Sequence, residues 1–148
     1  MESDPHLHDP HLQVRLGLRL VGGLRRDAAQ RIVVARAQRP FDSVDDLARR
    51  ARLNAGQMAV LAAADALAAL SGHRRQQVWD AAALKAVPVL LQEAPVDEAP
   101  LALPEAPEGE AIVWDYASLG LTLRRHPLAL LRPVLAQRRL STAAELMS

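Results

Sequence analysis

Apolar residues recur three or four positions apart through most of this chain, which is the spacing of one face of an α-helix. The clearest run follows a pair of glycines and consists of Ala28, Ala29, Ile32, Val33 and Ala35. Similar periodicity predicts further helices at 44–51, 54–64, 74–87 and 109–120, from Pro127 onwards and after Ser141. We therefore expect an all-α fold.

Several of these helices carry matching terminal signals. Ser43 precedes an acidic first turn, Asn54 is a second N-cap candidate, and Gly120 follows the last apolar residue of its helix. The periodicity also predicts the side chains that face the core, which are Met58, Leu61 and Ala62, then Val78, Trp79, Ala82, Ala83 and Ala86, then Ile112, Val113, Tyr116 and Leu119.

Other stretches do not follow the helical period. From Val14 to Leu20 apolar and other residues alternate, which is compatible with a short N-terminal strand up to about Leu16. Five prolines between Pro88 and Pro107 stand among acidic residues and predict an extended linker. The predicted divisions are a flexible N-terminal arm at 1–12, a helical domain at 13–87, a Pro-rich acidic linker at 88–109 and a C-terminal helical segment at 110–148.

Three histidines, His6, His8 and His11, lie in the predicted arm. They could be drawn as a metal site, but no flanking structure sets their geometry and the neighbouring prolines break any helix that would. The simpler interpretation is a loose arm, so we expect no metal site.

The pair of glycines, Gly22 and Gly23, favours binding of a phosphate. Gly22 and Gly23 can take the positive φ angles of a tight reversal between two helices, and they have no Cβ to keep a phosphate away from the backbone. A phosphate at the start of the following helix would meet unpaired amides, the positive end of the helix dipole and guanidinium groups. The sequence thus predicts a helix-hairpin-helix with a phosphate site formed by Gly22, Gly23, Leu24, Arg25 and Arg26 and flanked by Arg19 and Arg31.

The charge distribution agrees with such a site. The formal net charge is only +1, but ten arginines lie between Arg15 and Arg52, against four aspartates. Every charged residue between Lys85 and Arg124 is acidic. This layout predicts that one face meets a polyanion and that the other does not.

Composition narrows the class of protein. Half of the 148 residues are hydrophobic, mostly Ala and Leu, and only 3% are aromatic, which favours helices and makes a sizeable catalytic core improbable. The sequence has no cysteine for a disulfide or a thiolate zinc site. No signal-peptide pattern is seen and the longest apolar run is too short to cross a bilayer, so we expect a cytoplasmic protein without a membrane partner.

We identify no catalytic residues and expect no cofactor. An enzyme would need clustered acids, a nucleophile with its base, or metal ligands. His73 and His126 have no partners that the sequence can identify, and we expect each at the start of a helix.

The order of several short motifs resembles a known family. The motifs are Val14-Arg15-Leu16-Gly17-Leu18, Gly22-Gly23-Leu24, Pro40-Phe41-Asp42-Ser43-Val44-Asp45-Asp46-Leu47-Ala48, Gly72-His73-Arg74-Arg75, and Tyr116-Ala117-Ser118-Leu119-Gly120-Leu121 leading to His126-Pro127-Leu128. Together they resemble the error-prone branch of the C-family DNA polymerase III α-type subunits, which acts in damage-induced mutagenesis. The resemblance covers nearly all of residues 14–148.

The resemblance implies a non-catalytic fragment of a DNA-directed nucleotidyltransferase, without its catalytic core and OB-fold domain. It implies that the hairpin binds the phosphate backbone of duplex DNA without reading sequence. The implied partners are duplex DNA, the rest of the polymerase chain and accessory mutagenesis proteins. The family's hairpin often has a second glycine after its central apolar residue, whereas Arg25 stands at that position here.

A second hypothesis stays open at this point. The glycines could serve only to make a tight turn and the arginines could form a solvated face. The chain would then be a structural or protein-interaction module of the same polymerase, with no direct contact to DNA.

Overall fold

The computed structural model describes residues 16–84 and 101–147, and no β-strand occurs in these two ranges. The all-α prediction is confirmed. A 3-10 turn, Leu18–Leu20, precedes α1 Arg26–Gln38, α2 Val44–Arg50, α3 Ala55–Ala63, α4 Ala68–Ser71, α5 Arg74–Ala83, α6 Glu108–Leu119, α7 Pro127–Gln137 and α8 Ala143–Leu146. The predicted arm with His6, His8 and His11, most of the predicted strand and most of the predicted linker lie outside the described residues.

The predicted helix caps are confirmed. The Ser43 hydroxyl accepts a hydrogen bond from the Asp46 amide at 3.0 Å. Asn54 and Gln57 form a reciprocal capping box at the start of α3. Gly120 ends α6 in the left-handed conformation, with φ at +73°. His73 and His126 are the N-caps of α5 and α7, so their predicted position at helix starts is correct.

The hydrophobic core lies between the first three helices and α5. Met58, Leu61 and Ala62 are almost completely buried, as predicted for α3. The other members of this core come from α1, α2, the α3–α4 connection and α5, and they are Ile32, Ala35, Val44, Leu47, Ala51, Leu67 and Ala81. Val33, which was grouped with the apolar face of α1, is 49% exposed.

The face predicted for α5 is wrong at the residues that the structure describes, and Ala86 lies outside them. Val78 and Trp79 are 39% and 52% exposed, whereas the buried residues of this helix are Arg74, Gln77 and Ala81. The prediction failed because it assumed that buried residues are apolar, and the inner face of α5 is mainly polar. The face predicted for α6 is correct at Ile112, which is buried, but wrong at Val113 and Tyr116, which are exposed, while Asp115 is buried.

Gln77 is completely buried and its amide is fully used. Its Oε1 accepts a hydrogen bond from the Leu67 amide at 3.0 Å. Its Nε2 donates to the Asp65 carboxylate and to the Gly72 carbonyl, both at 2.6 Å. One side chain therefore connects α5 to both ends of the α4 region.

A buried ion pair joins α5 to α6. The Arg74 guanidinium bonds to the Asp115 carboxylate and donates to the Ala111 carbonyl at 2.8 Å. The Thr122 hydroxyl donates to the same carboxylate at 2.6 Å. Burial raises the pKa of Asp115, but these hydrogen bonds and the neighbouring guanidinium groups outweigh it and lower the pKa below its ordinary value.

The described part of the predicted linker lies along the start of α5. Leu103 bonds through its amide to Gln76 at 3.1 Å and through its carbonyl to the His73 ring at 2.8 Å. Helix α6 in turn contacts α3 and α7. Whether residues 88–109 separate two folding units stays a prediction.

A second network of ion pairs joins α1 to α2. Asp46 is 5% exposed and accepts hydrogen bonds from Arg39, Arg49 and Arg50. Burial raises the pKa of Asp46, but the Arg50 hydrogen bond and the adjacent charges lower it overall. The Arg50 guanidinium also lies over the Phe41 ring, 4.8 Å from its centroid.

Replacement of Gln77 by Leu should destabilise the protein. The substitution leaves the buried Leu67 amide without an acceptor, which costs roughly 1–3 kcal/mol, and it also removes the bonds to the Asp65 carboxylate and the Gly72 carbonyl. Urea unfolding should show a loss of at least about 2 kcal/mol, whereas Gln30→Leu on the exposed face of α1 should change the free energy of unfolding by less than about 0.5 kcal/mol. Equal effects of the two variants would show that the Gln77 bonds contribute nothing.

The free energy of unfolding should also fall in acid. The pKa values of Asp46 and Asp115 are lowered in the folded state, so below about pH 4 the unfolded chain binds protons that the folded chain does not. Their contribution is full above the unfolded pKa and is lost as the pH drops through the folded pKa. Urea unfolding at a series of pH values between pH 7 and pH 3 measures this fall in the free energy of unfolding.

Asp46→Asn should reduce this acid dependence and lower stability at pH 7. Asp45→Asn is the matched control, because Asp45 is exposed and has no ion pair among the described residues. A pH profile of the Asp46 variant as steep as that of the unchanged chain would contradict the assignment.

Candidate nucleic-acid interface

The glycine pair lies in a tight turn between the 3-10 turn and α1. The Leu24 amide donates to the Val21 carbonyl at 3.2 Å and closes the reversal. Gly23 has a φ of +80°, a conformation that L side chains rarely adopt, so glycine is favoured there. Arg25 is extended and α1 begins at Arg26. The predicted hairpin followed by a helix is confirmed.

The back of the hairpin is packed against the rest of the protein. The Gly22 amide donates to the Ser118 carbonyl near the end of α6 at 2.8 Å. A Cβ at Gly22 would lie 3.0 Å from that oxygen, and one at Gly23 would lie 3.2 Å from Val60 Cγ1 of α3. The Gly22 amide is therefore not a free donor, because α6 uses its N–H.

The start of α1 is open to solvent. Arg25, the N-cap residue, forms no side-chain cap, so the Arg26 amide has no acceptor among the described residues. The Gly23 amide likewise has no acceptor in the described part of the protein. These donors and the positive end of the helix dipole favour an anion at this end of α1, whereas the Asp27 carboxylate in the first turn of the helix opposes one.

The predicted arginines do not behave alike. Arg19 and Arg26 are exposed, and neither forms an ion pair within the described ranges. Arg25 has an 81% exposed side chain and contacts Asp27 at 3.2 Å. Leu24 is half-buried and packs against the core. The structure therefore brings Gly23, Arg25 and Arg26 together at the surface.

Arg31 has an internal role. Its Nη1 bonds to Asp27 at 2.8 Å, its Nε donates to the Ala51 carbonyl at 2.8 Å, and its Nη2 donates to the Arg52 carbonyl at 3.4 Å. These bonds tie α1 to the end of α2. The hydrogen bond from Arg31 holds the pKa of Asp27 below its ordinary value, so an ionised carboxylate lies between Arg25 and Arg31.

Asp27 and Ser118 also shape this region, although neither is among the predicted site residues. Asp27 stands four positions before Arg31, a spacing that predicts a pair on one helix face and was visible in the sequence. The same spacing rule applies to Asp46 with Arg49 and Arg50. Ser118 acts through its backbone carbonyl and is far from the hairpin in sequence, so no local signal could have identified it.

Two further observations apply to residues 16–84 and 101–147 alone. No group of three or more His, Cys, Asp or Glu side chains lies close enough together there to hold a metal ion. None of the helices in these ranges has both the length and the hydropathy to cross a membrane.

The sequence of this chain matches a known protein family. Residues 2–77, about half of the chain, match the family described as helix-hairpin-helix motif. The chain belongs to the helix-hairpin-helix family. The hairpin at Gly22 and Gly23 and the helix α1 lie within the matched residues.

The chain is also similar to curated proteins named error-prone DNA polymerase. One from Ralstonia nicotianae is 54% identical over 136 residues, which cover 90% of this chain and 13% of the relative. One from Alkalilimnicola ehrlichii is 49% identical over 146 residues, which cover 99% of this chain and 14% of the relative. One from Burkholderia pseudomallei is 54% identical over 134 residues, with 90% and 12% covered. No solved structure matches the chain.

These matches confirm the resemblance seen in the sequence. The chain spans 12% to 14% of the length of these relatives and corresponds to one region of such a polymerase. It is a helical module related to that region.

Gly23→Ala should destabilise the hairpin through two separable effects. Positive φ costs an L residue on the order of 1–3 kcal/mol, and the new methyl also crowds Val60. Gly120→Ala is the matched control, because Gly120 has a similar φ of +73° but no atom within 4 Å of the added Cβ.

Urea unfolding should therefore show a larger loss for Gly23→Ala than for Gly120→Ala. The double change Gly23→Ala with Val60→Ala should cost less than the sum of the two single changes, since the second removes the crowded methyl groups. Strict additivity would show that the close approach to Val60 has no energetic weight.

Proposed function

We propose that this chain is a module of an error-prone DNA polymerase that binds the backbone of duplex DNA without sequence specificity. The observation that carries this proposal is the open start of α1, where unpaired amides, the helix dipole and the exposed Arg25 and Arg26 side chains coincide. Membership in the helix-hairpin-helix family and the similarity to error-prone DNA polymerases support it.

The contacts of this proposal follow from which donors are free. A phosphate oxygen would accept from the Gly23 and Arg26 amides and from the Arg26 guanidinium. Arg25, whose Nε bonds to Asp27 at 3.2 Å, would bind the same or the next phosphate through its two Nη atoms. Gly22 and Leu24 shape the turn beneath them. Arg19 would be a flanking contact, and Arg31 would contribute charge from its position between α1 and α2.

Such contacts carry no sequence information, because every phosphate of a duplex offers the same oxygens. Non-specific binding of this kind has dissociation constants of about 10⁻⁴ to 10⁻⁶ M and a logarithmic salt slope of roughly −0.9 per neutralised phosphate. With two or three phosphates involved, we expect this chain at the weak end of that range.

The role of the whole polymerase extends this proposal. The relatives' name implies nucleotide incorporation with errors, which we interpret as synthesis across damaged templates during repair and damage-induced mutagenesis. Catalysis would reside in the rest of the polymerase chain, and accessory mutagenesis proteins would be further partners. A polymerase that acts on chromosomal DNA would be located in the cytoplasm.

One observation favours the alternative of a purely structural or protein-interaction module. The Gly22 amide and all the guanidinium nitrogens of Arg31 are used inside the protein. In that case the glycines only permit the close approach to α3 and α6, and DNA is not a partner.

The joint replacement of Arg25 and Arg26 by Ala separates the two functions. DNA affinity should fall by a similar factor for unrelated duplex sequences, and the salt slope should become shallower by roughly 1–2 units because fewer counterions are released. Fluorescence anisotropy at several salt concentrations measures both quantities.

The matched control is the joint replacement of Arg132 and Arg138 by Ala, which removes the same charge from exposed positions on and just after α7. We expect a much smaller effect from this control. Unchanged binding in the Arg25 and Arg26 variant, or an equal loss in the control, would favour the structural alternative.

A further inference from the structure

Helix α6 and the hairpin satisfy each other's unpaired backbone groups. The last four carbonyls of a helix have no partner within the helix, and Ser118 is one of them. The Gly22 amide donates to this carbonyl at 2.8 Å. The hydrogen bond therefore gives a partner both to a helix end and to a turn, at a point where the two backbones meet.

The contact depends on close approach as well as on hydrogen bonding. The absence of a Cβ at Gly22 lets the Ser118 oxygen form a short bond without crowding, because a Cβ would lie only 3.0 Å from that oxygen and would force the two backbones a few tenths of an ångström apart. An apolar hollow of about 370 Å³ borders the contact and is lined by Gly22, Val60, Ala63, Val78, Trp114 and Ala117 together with Ser118. Helix α6 is thus seated directly behind the turn.

A buried anchor one turn earlier holds α6 in this position. Asp115 lies three residues before Ser118 and pairs with Arg74, whose side chain is 4% exposed. Arg124 reaches the same carboxylate at 3.4 Å and also bonds to Asp65 at 3.2 Å. The anchor therefore ties α6, in the second half of the chain, to Arg74 and Asp65 in the first half, where the candidate DNA contacts also lie.

We propose that α6 is a positioning element for the hairpin, and that Gly22 is the residue through which docking of α6 sets the conformation of the turn that holds phosphate. The part of this proposal that concerns DNA rests on the proposed function. When α6 undocks, the turn loses the acceptor of its Gly22 amide and the support behind it, so the Gly23 and Arg26 amides no longer point at one phosphate.

The test compares two variants in the full chain that remove the same charge from the same helix. Asp115→Asn weakens the anchor, whereas Glu108→Gln removes an ion pair with Arg125 at the distant start of α6. Both raise the net charge by one, which by itself favours DNA binding. We expect Glu108→Gln to bind duplex DNA as well as the unchanged chain or better, and Asp115→Asn to bind at least about threefold more weakly.

The exchange rates of individual amide hydrogens test the positioning role directly, because a change in net charge alone would not alter them. In Asp115→Asn the Gly22 amide should exchange at least about tenfold faster, while the amides of α3 around Leu61 keep their protection. Unchanged Gly22 exchange alongside faster exchange within α6 would overturn the proposal, because α6 would then have opened without affecting the turn.

If Asp115→Asn does not fold, a second pair of variants tests the same proposal. Gly22→Ala forces the Ser118 oxygen away, whereas Gly17→Ala adds a methyl that meets only Arg19 Cγ at 3.8 Å. Gly22→Ala should reduce the exchange protection of the α6 C-terminal turn and weaken DNA binding, and Gly17→Ala should do neither. Equal behaviour of the two glycine variants would refute the positioning role.

Failure of the proposed function can be told apart from failure of this inference. If the unchanged chain does not bind DNA at low salt, the proposed function is wrong. The exchange rates of Gly22 and of the α6 C-terminal turn still decide whether α6 positions the hairpin.

Discussion

The buried pair of Arg74 and Asp115 is the constraint on which the rest of the arrangement depends. A buried charge is costly unless its partner is present in good geometry, so any position of α6 that separates Asp115 from Arg74 is disfavoured. Gln77 adds three hydrogen bonds on the same face of α5. The Arg74 bonds thus orient α6 and the Gln77 bonds orient the α4 region, in a way that apolar packing would not, since hydrophobic contact has no preferred direction.

The position of α6 then shapes the hairpin. One side of the turn packs against the protein, through the Gly22 amide and the contact with Val60. The other side faces solvent and presents Gly23, Arg25 and Arg26. The two glycines serve different purposes. Gly22 permits a close approach to α6, and Gly23 supplies the positive φ angle of the reversal.

The arginines also fall into two groups, one bonded inside the protein and one exposed at its surface. Arg31 and Arg50 donate to backbone carbonyls and to Asp27 or Asp46, and so they join α1 to α2. Arg19 and Arg26 stay at the surface without an ion pair in the described ranges. The grouping of ten arginines in the first third of the chain therefore overstates the charge available to a polyanion. The proposed interface rests on a few side chains and on backbone amides, not on a broad basic face.

Local features of the chain were predictable, because caps, glycine stops and helical periods depend on residues a few positions apart. Ser43, Asn54 and Gly120 end or begin helices as expected, the inner face of α3 is correct, and the family follows from motifs in order. The inner faces of α5 and α6 were not predictable from hydrophobicity, since Arg74 and Asp115 are buried only because each finds the other across 41 positions. For the same reason the state of the Gly22 amide depends on Ser118, an acceptor that exists only once the helices have packed.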